Sequence, residues 1–248
     1  MILIFDVGNT SIKIGLASDN QIEKVFRINT ITNKTPDLYA VDINGLFDPS
    51  QVTAVIIGSV VPEVTLTLKI LSKRLFGIDP MVLEPGIKTG ILLKTDHPQE
   101  VGADIIAAAA AIKSPKPTVV VDLGTANKYI YVKDKQLLGV VISPGVVVSV
   151  KALIGSTALL PQIEIKTPKK VLGTNTVSCM QSGVTYGVAA EVEGILMRIK
   201  GEIREDIDVI ITGGLAKVIA PLIYNNIEVN PNLVLEGLLN IYHLNQKN

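Results

Sequence analysis

One stretch of this chain occurs twice. ILIFDVGNT, at residues 2–10, returns nearly half a chain later as TVVVDLGTA, at residues 118–126. Each copy is an apolar, largely β-branched run that ends in Asp-x-Gly, with Asp6 matching Asp122 and Gly8 matching Gly124. After each copy come alternating segments around a polar turn, Ser18-Asp19-Asn20 in the first and Lys133-Asp134-Lys135 in the second. That alternation around a turn is the mark of an antiparallel hairpin. A second echo pairs TAVIIGSVVP (53–62) with DVIITGGLAK (208–217), two buried-type strands that run through Gly or Ser into a helical pattern. A duplicated order of strands and helices restricts the fold to the α/β class, with two domains on one plan. The boundary is expected near Ser114-Pro115-Lys116-Pro117, because two prolines in four residues end any helix. The expected domains are therefore 1–115 and 116–248. The segment before the prolines, GADIIAAAAAIK, is alanine-rich and a strong helix former. A long helix is also expected around Val177–Arg204, where Gly183, Gly187, Ala189 and Ala190 should let another helix approach closely.

A single Asp-x-Gly is most simply a turn. Two copies at matching places on a duplicated fold point instead to a ligand gripped between two domains. A carboxylate at the end of a buried strand is costly unless something pairs with it. A divalent cation does so, directly or through its waters. Gly8 lets backbone N–H groups approach an anion. Asn9 and Thr10 add donors, and Lys13 adds a positive charge. Together these residues suit the phosphate tail of a Mg-nucleotide. The pattern is not the GxxxxGK[ST] loop, and no GxGxxG follows the first strand. Gly213-Gly214 offers bare backbone on which a base and ribose could lie, although a tight strand-to-helix turn is the simpler account.

Composition removes other classes. The 23 basic and 23 acidic residues balance, which argues against a nucleic-acid or membrane-surface binder. No run approaches the roughly 18 apolar residues of a membrane span. The apolar start has no basic leader and meets Asp6 at once, so it does not read as a secretory signal. Aromatics are only 4% and Trp is absent, which leaves little for stacking platforms. Cys179 is the sole cysteine, so no internal disulfide can form, and a reducing, cytoplasmic setting fits.

The ordered series of motifs resembles that of the type III pantothenate kinases, within the wider group of actin-like, Hsp70-like and sugar or acetate kinases. The resemblance covers essentially the whole chain. It runs through DVGNTSIKIG, GSVVP (58–62), DHPQEVGAD (96–104), DLGTA (122–126), ISPG (142–145), TALLP (157–161), NTVSCMQSGVTYG (175–187), ITGGLA and PNLVLEGLLNIYHLN.

The resemblance implies two duplicated ribonuclease H-like, actin-like ATPase domains with a nucleotide cleft between them. The implied activity is transfer of the ATP γ-phosphoryl group to pantothenate, the first step of coenzyme A synthesis; the alternatives are a non-catalytic nucleotide-binding or regulatory relative of these kinases, or a kinase for another small hydroxyl substrate. Asp6 would hold Mg2+ through water. The segment Asp6, Val7, Gly8, Asn9, Thr10, Ser11, Ile12 and Lys13 would bind ATP, with Thr125 assisting. Asp122 would bind a monovalent cation, K+ or NH4+. Asp104 would accept the hydroxyl proton, and Gly102, Ala103, Ile105 and Thr176 would line the pantothenate pocket. A homodimer is implied as well. Without the motif, Asp104 reads as a first-turn helix acid, which the helix dipole favours.

Three places depart from the family pattern. Ile105 stands where an arginine is usual, Asn127 and Lys128 follow the second acidic loop, and Leu138-Gly139 replaces a Gly-Gly. Lys128 is a candidate to supply the charge absent at Ile105. His97 and His243 read as turn and surface residues, and Cys179 as buried packing. Glu191 and Glu193, two apart on a helix, share no face as a metal pair would.

Overall fold

The computed structural model describes residues 1–224 and 227–246. They group into two units. In the first, β1 (Ile2–Val7), β2 (Ser11–Ser18) and β3 (Gln21–Asn29) form an antiparallel meander. β4 (Ala54–Ser59) joins the other side of β1 in parallel, and β5 (Met81–Val82) follows it. The strand order is β3-β2-β1-β4-β5. β1 and β4 are buried along nearly their whole length, as a parallel pair covered on both faces requires. β3 alternates and stands at the edge.

Two helices join these strands. α1 (Pro36–Ile43) starts at Thr35, whose side chain accepts from Leu38 N–H. α2 (Pro62–Phe76) stops at Gly77, which turns left-handed at φ 71°. Tyr39, Ile43, Val64, Leu68 and Leu71 of these helices pack on Leu3, Phe5, Ile12 and Ile14 of the sheet. α3 (Ala103–Ala110) closes this part of the chain.

The second unit repeats the plan. β7 (Thr118–Leu123), β8 (Ala126–Lys133) and β9 (Gln136–Pro144) form the second meander; β10 (Asp208–Thr212) and β11 (Glu228–Val229) run parallel to β7. The order β9-β8-β7-β10-β11 is the first order again. Asp134 and Lys135 both take positive φ, so the β8–β9 turn carries the twist that a two-residue hairpin needs. β6 (Leu92–Leu93) pairs in parallel with Gln136 and Leu137, and those four residues group with the first unit.

α4 (Val146–Gly155) and α5 (Thr176–Ile203) precede β10, and α6 (Ala216–Ile219) follows it. α5 begins with a reciprocal cap between Asn175 and Ser178, and ends at Arg204 in the left-handed region. Among the described residues, no helix makes the close approach expected at Gly183 and Gly187. A Cβ at either position would meet open space. α4 and α5 instead bound a groove of about 490 Å³.

α7 (Leu233–Gln246) follows the second-unit elements in sequence but groups with the first unit. A Cβ at Gly237 would stand 2.6 Å from the carbonyl carbon of Ala107 and closer still to its oxygen, so glycine alone lets α7 cross α3 here. Asn240 Nδ2 donates to Ala110 O at 3.1 Å across the same crossing. A Cβ at Gly15 would stand 3.1 Å from Leu235 Cδ1, and one at Gly58 2.7 Å from Leu238 Cδ2. Among the described residues, no helix is long and apolar enough to cross a membrane.

Candidate active site

The turn after β1 is tight and braced. Gly8 N–H donates to Ser11 O at 3.1 Å. Thr30, at the end of β3, donates from Oγ1 to Gly8 O at 2.6 Å, and from N–H to Thr10 O at 3.1 Å. The backbone is thus held from below while Asn9 and Thr10 stand exposed. Asp6 and Lys13 are cross-strand partners in the β1–β2 ladder, so acid and amine sit on one face. Lys13 is buried and Asp6 half-buried. Val7 and Ile12 also pair, but their side chains belong to the core, so from these two only backbone can face a ligand.

One bond ties the end of β1 to the residue that follows β4. Val60 N–H donates to Val7 O at 3.1 Å. A Cβ at Gly102 would rest 3.6 Å from Val60 Cγ1. Gly102 is the N-cap of α3, and Asp104 lies in its first turn. Asp104 Oδ1 accepts from Ile105 N–H at 2.9 Å and lies 2.6 Å from where a Gly102 Cβ would be. The acid at the helix start is therefore set beside the carboxyl ends of the parallel strands β1 and β4, where open α/β sheets bind their ligands. Ala103 and Ile105 are buried.

In the second unit the corresponding turn, Gly124–Thr125, is pressed from two sides. Gly145 N–H donates to Thr125 O at 3.1 Å. A Cβ at Gly145 would fall 2.7 Å from the Thr125 carbonyl carbon; one at Gly213, which has φ 95°, would fall 2.5 Å from Leu123 O. These two glycines admit the turn where no other residue would. Thr125 is exposed at its tip. Thr176 is exposed at the start of α5.

Asp122 is not bare. Lys128, its cross-strand partner, places Nζ 2.7 Å from Asp122 Oδ2, with both side chains only 13% exposed. The amine that could have supplied the charge absent at Ile105 is committed to Asp122. A K+ or NH4+ ion does not fit this carboxylate as it stands, because an ammonium group already neutralises it. Asp6 would be the residue to hold Mg2+, which keeps several waters and needs only one or two carboxylates plus phosphate oxygens. Among the described residues no three His, Cys, Asp or Glu side chains form a cage of their own.

Glu191 carries a network that the sequence spacing gave no reason to suspect. Its Oε1 accepts from Tyr129 OH at 2.7 Å, from Ser143 Oγ, and from Asn127 Nδ2 at 3.5 Å. Burial, reinforced by the bond to Glu191 and its charge, pushes the Tyr129 hydroxyl well above its usual pKa, so it stays a donor. Asn127 is fully buried and also donates to Pro144 O at 3.4 Å. Cys179, read as buried packing, is exposed. His243 Nε2–H donates to Asp19 O at 2.7 Å, and so His243 is tied to the β2–β3 turn.

The pattern of the family described as type III pantothenate kinase matches residues 2–198. A type III pantothenate kinase of Acholeplasma laidlawii is 53% identical over 247 residues, covering 100% of both chains. One of an Exiguobacterium species is 44% identical over 255 residues, again covering 100% of both. Among solved structures, MreB 5 of Spiroplasma citri bound to AMPPNP aligns over 99% of this chain and 97% of its own. Its TM-score is 0.53 at 9% identity, a likeness of fold. The duplicated actin-like ATPase fold, the two Asp-x-Gly turns and full-length similarity agree, and the chain belongs to the type III pantothenate kinase family.

Proposed function

We propose that the chain transfers the γ-phosphoryl group of ATP to the primary hydroxyl of pantothenate, the first step of coenzyme A synthesis. The hydroxyl oxygen forms the new P–O bond, the bond between the γ-phosphorus and the β–γ bridging oxygen breaks, and ADP leaves. The hydroxyl proton passes to the Asp104 carboxylate. Phosphoryl transfer asks the protein mainly for positioning and charge neutralisation. Gly8, Asn9, Thr10 and Ser11 supply donors to the phosphates and Lys13 supplies positive charge; for Thr125 the family resemblance implies a supporting role in ATP binding. Asp6 holds Mg2+, which when bound neutralises phosphate charge. The family resemblance assigns pantothenate contacts to Gly102, Ala103 and Ile105 at the start of α3, and separately to Thr176 at the start of α5. Ala103 and Ile105 are buried, so their part there is backbone and shape.

The observation that supports this reading is that Val60, whose N–H donates to Val7 O at 3.1 Å, lies next to Gly102 at the start of α3, two residues before Asp104. A homodimer is part of the proposal. Val147, Val148 and Leu153 of α4, with Leu159, Leu172 and Val177 beyond it, are exposed apolar residues that a second copy would cover. A cytoplasmic location agrees with the substrates. The test is a coupled ADP-release assay on the purified chain with MgATP and pantothenate. Turnover that appears only with pantothenate is expected, and its absence would sink the reading.

A further inference from the structure

Both copies of the duplicated hairpin set a lysine opposite the strand-end aspartate. Asp6 faces Lys13, and Asp122 faces Lys128. In the second copy the pair is closed at 2.7 Å and largely withdrawn from water. The site around it is built to keep it there. Asp122 lies beneath Gly124, whose Cβ would stand 3.6 and 3.8 Å from the two carboxylate oxygens. Thr212 is the parallel-ladder partner of Asp122 on β10; its hydroxyl is buried and, among the described residues, has no hydrogen-bond partner. Asp122 is thus flanked by one cation and one neutral hydroxyl. A carboxylate so placed requires a counter-charge. A protonated primary amine carries the single charge of K+ and the N–H donors of NH4+. A free cation on the same oxygens would press against that ammonium.

We propose that Lys128 supplies, from within the chain, the monovalent positive charge that the family resemblance assigns to K+ or NH4+ at Asp122. The enzyme then turns over without a monovalent cation. The proposal rests on the kinase reading above. Lys128 is a positioning residue: it neutralises Asp122 and so fixes the Gly124–Thr125 turn, which Gly145 holds from the other side.

The test uses the full chain in KCl, NH4Cl and tetramethylammonium chloride at equal ionic strength, with ATP as its tetramethylammonium salt. Two quantities are read, turnover of pantothenate and melting temperature. The unaltered chain should turn over within about two-fold in all three salts and melt at the same temperature. Lys128→Met should lose roughly 10–100-fold in tetramethylammonium, as removal of a supporting partner commonly does. K+ or NH4+ should restore much of that loss and raise the melting temperature of this variant alone. Ten-fold activation of the unaltered chain by K+, a K+-specific rise in its melting temperature, or a Lys128→Met variant as active in tetramethylammonium as the parent would each overturn the proposal. Should Lys128→Met fail to fold, the unaltered chain's two readouts still decide. Should no salt support turnover, the kinase reading falls, and the melting comparison alone decides the cation question.

Discussion

Gly145 offers the sharpest test of how far the site depends on the second turn. Its backbone, at φ −71° and ψ 160°, is one that alanine adopts freely, so the effect of Gly145→Ala comes from contact alone. The new methyl group would stand 2.7 Å from the Thr125 carbonyl carbon and closer to the oxygens of Gly124 and Thr125. All of these are backbone atoms, so none can rotate away. Relief to ordinary contact, at 3.4 Å or more, moves the turn by about 1 Å. Overpacking of this kind costs roughly 1–3 kcal/mol, and each kcal/mol lowers Tm by about 2–4 °C in a chain of this size. A displacement near 1 Å at a reacting site can cost about 10²-fold. The expected result is therefore a Tm lowered by several degrees and kcat/KM for pantothenate reduced by roughly two orders of magnitude. ADP release under steady state and a thermal melt measure both. Gly155→Ala is the control: its Cβ meets nothing within 4 Å, at the end of the same helix. If Gly145→Ala keeps kcat/KM within two-fold of the parent, the turn does not position the reaction.

Asp104→Asn should fold normally and still bind nucleotide, but lose about 10²–10⁴-fold in kcat; near-parental kcat would remove the base role. Gly237→Ala should lower Tm by several degrees, since overpacking against the Ala107 carbonyl costs roughly 1–3 kcal/mol; an unchanged Tm would mean that α3 and α7 separate freely. Ile105→Arg should destabilise the chain by about 3 kcal/mol or more, because a guanidinium would replace a side chain only 8% exposed. A parental Tm together with a raised kcat/KM would show instead that this position opens onto substrate.

Local pattern carried most of the fold. The two meanders follow from alternation around short polar turns, and the long helix expected at Val177–Arg204 is observed as Thr176–Ile203. What escaped was set by distance in space. Asp122 and Lys128 are partners across an antiparallel ladder, so their pairing depends on register and not on spacing along one element. The twin pair Asp6 and Lys13 was the available signal for it. Glu191 lies on α5, far along the chain from Tyr129 and Ser143, and no local periodicity joins them. Gly145 and Gly213 were visible as glycines, but a sequence does not say which backbone comes close to them. Likewise α7 announces an apolar face and not the partner that covers it.

The two turns that began as copies now differ in what they hold outward. In the first, the bracing comes through backbone atoms, from Thr30 to Gly8 O and Thr10 O, and the side chains of Asn9 and Thr10 remain exposed. In the second, Asn127 is fully buried and bonds Pro144 and Glu191, while two glycines press on the turn. Only Thr125 is left exposed there. The first turn is thus a set of donors on a held backbone, and the second is a platform whose polar side chains are used internally. The acid–lysine facing is common to both copies: Lys13 stands opposite Asp6 as Lys128 stands opposite Asp122, where Nζ lies 2.7 Å from the carboxylate. A fold built by duplication needs only one of its two acidic turns to receive the phosphates. The other is then under no constraint to keep its carboxylate open, and a lysine one strand away can fill it.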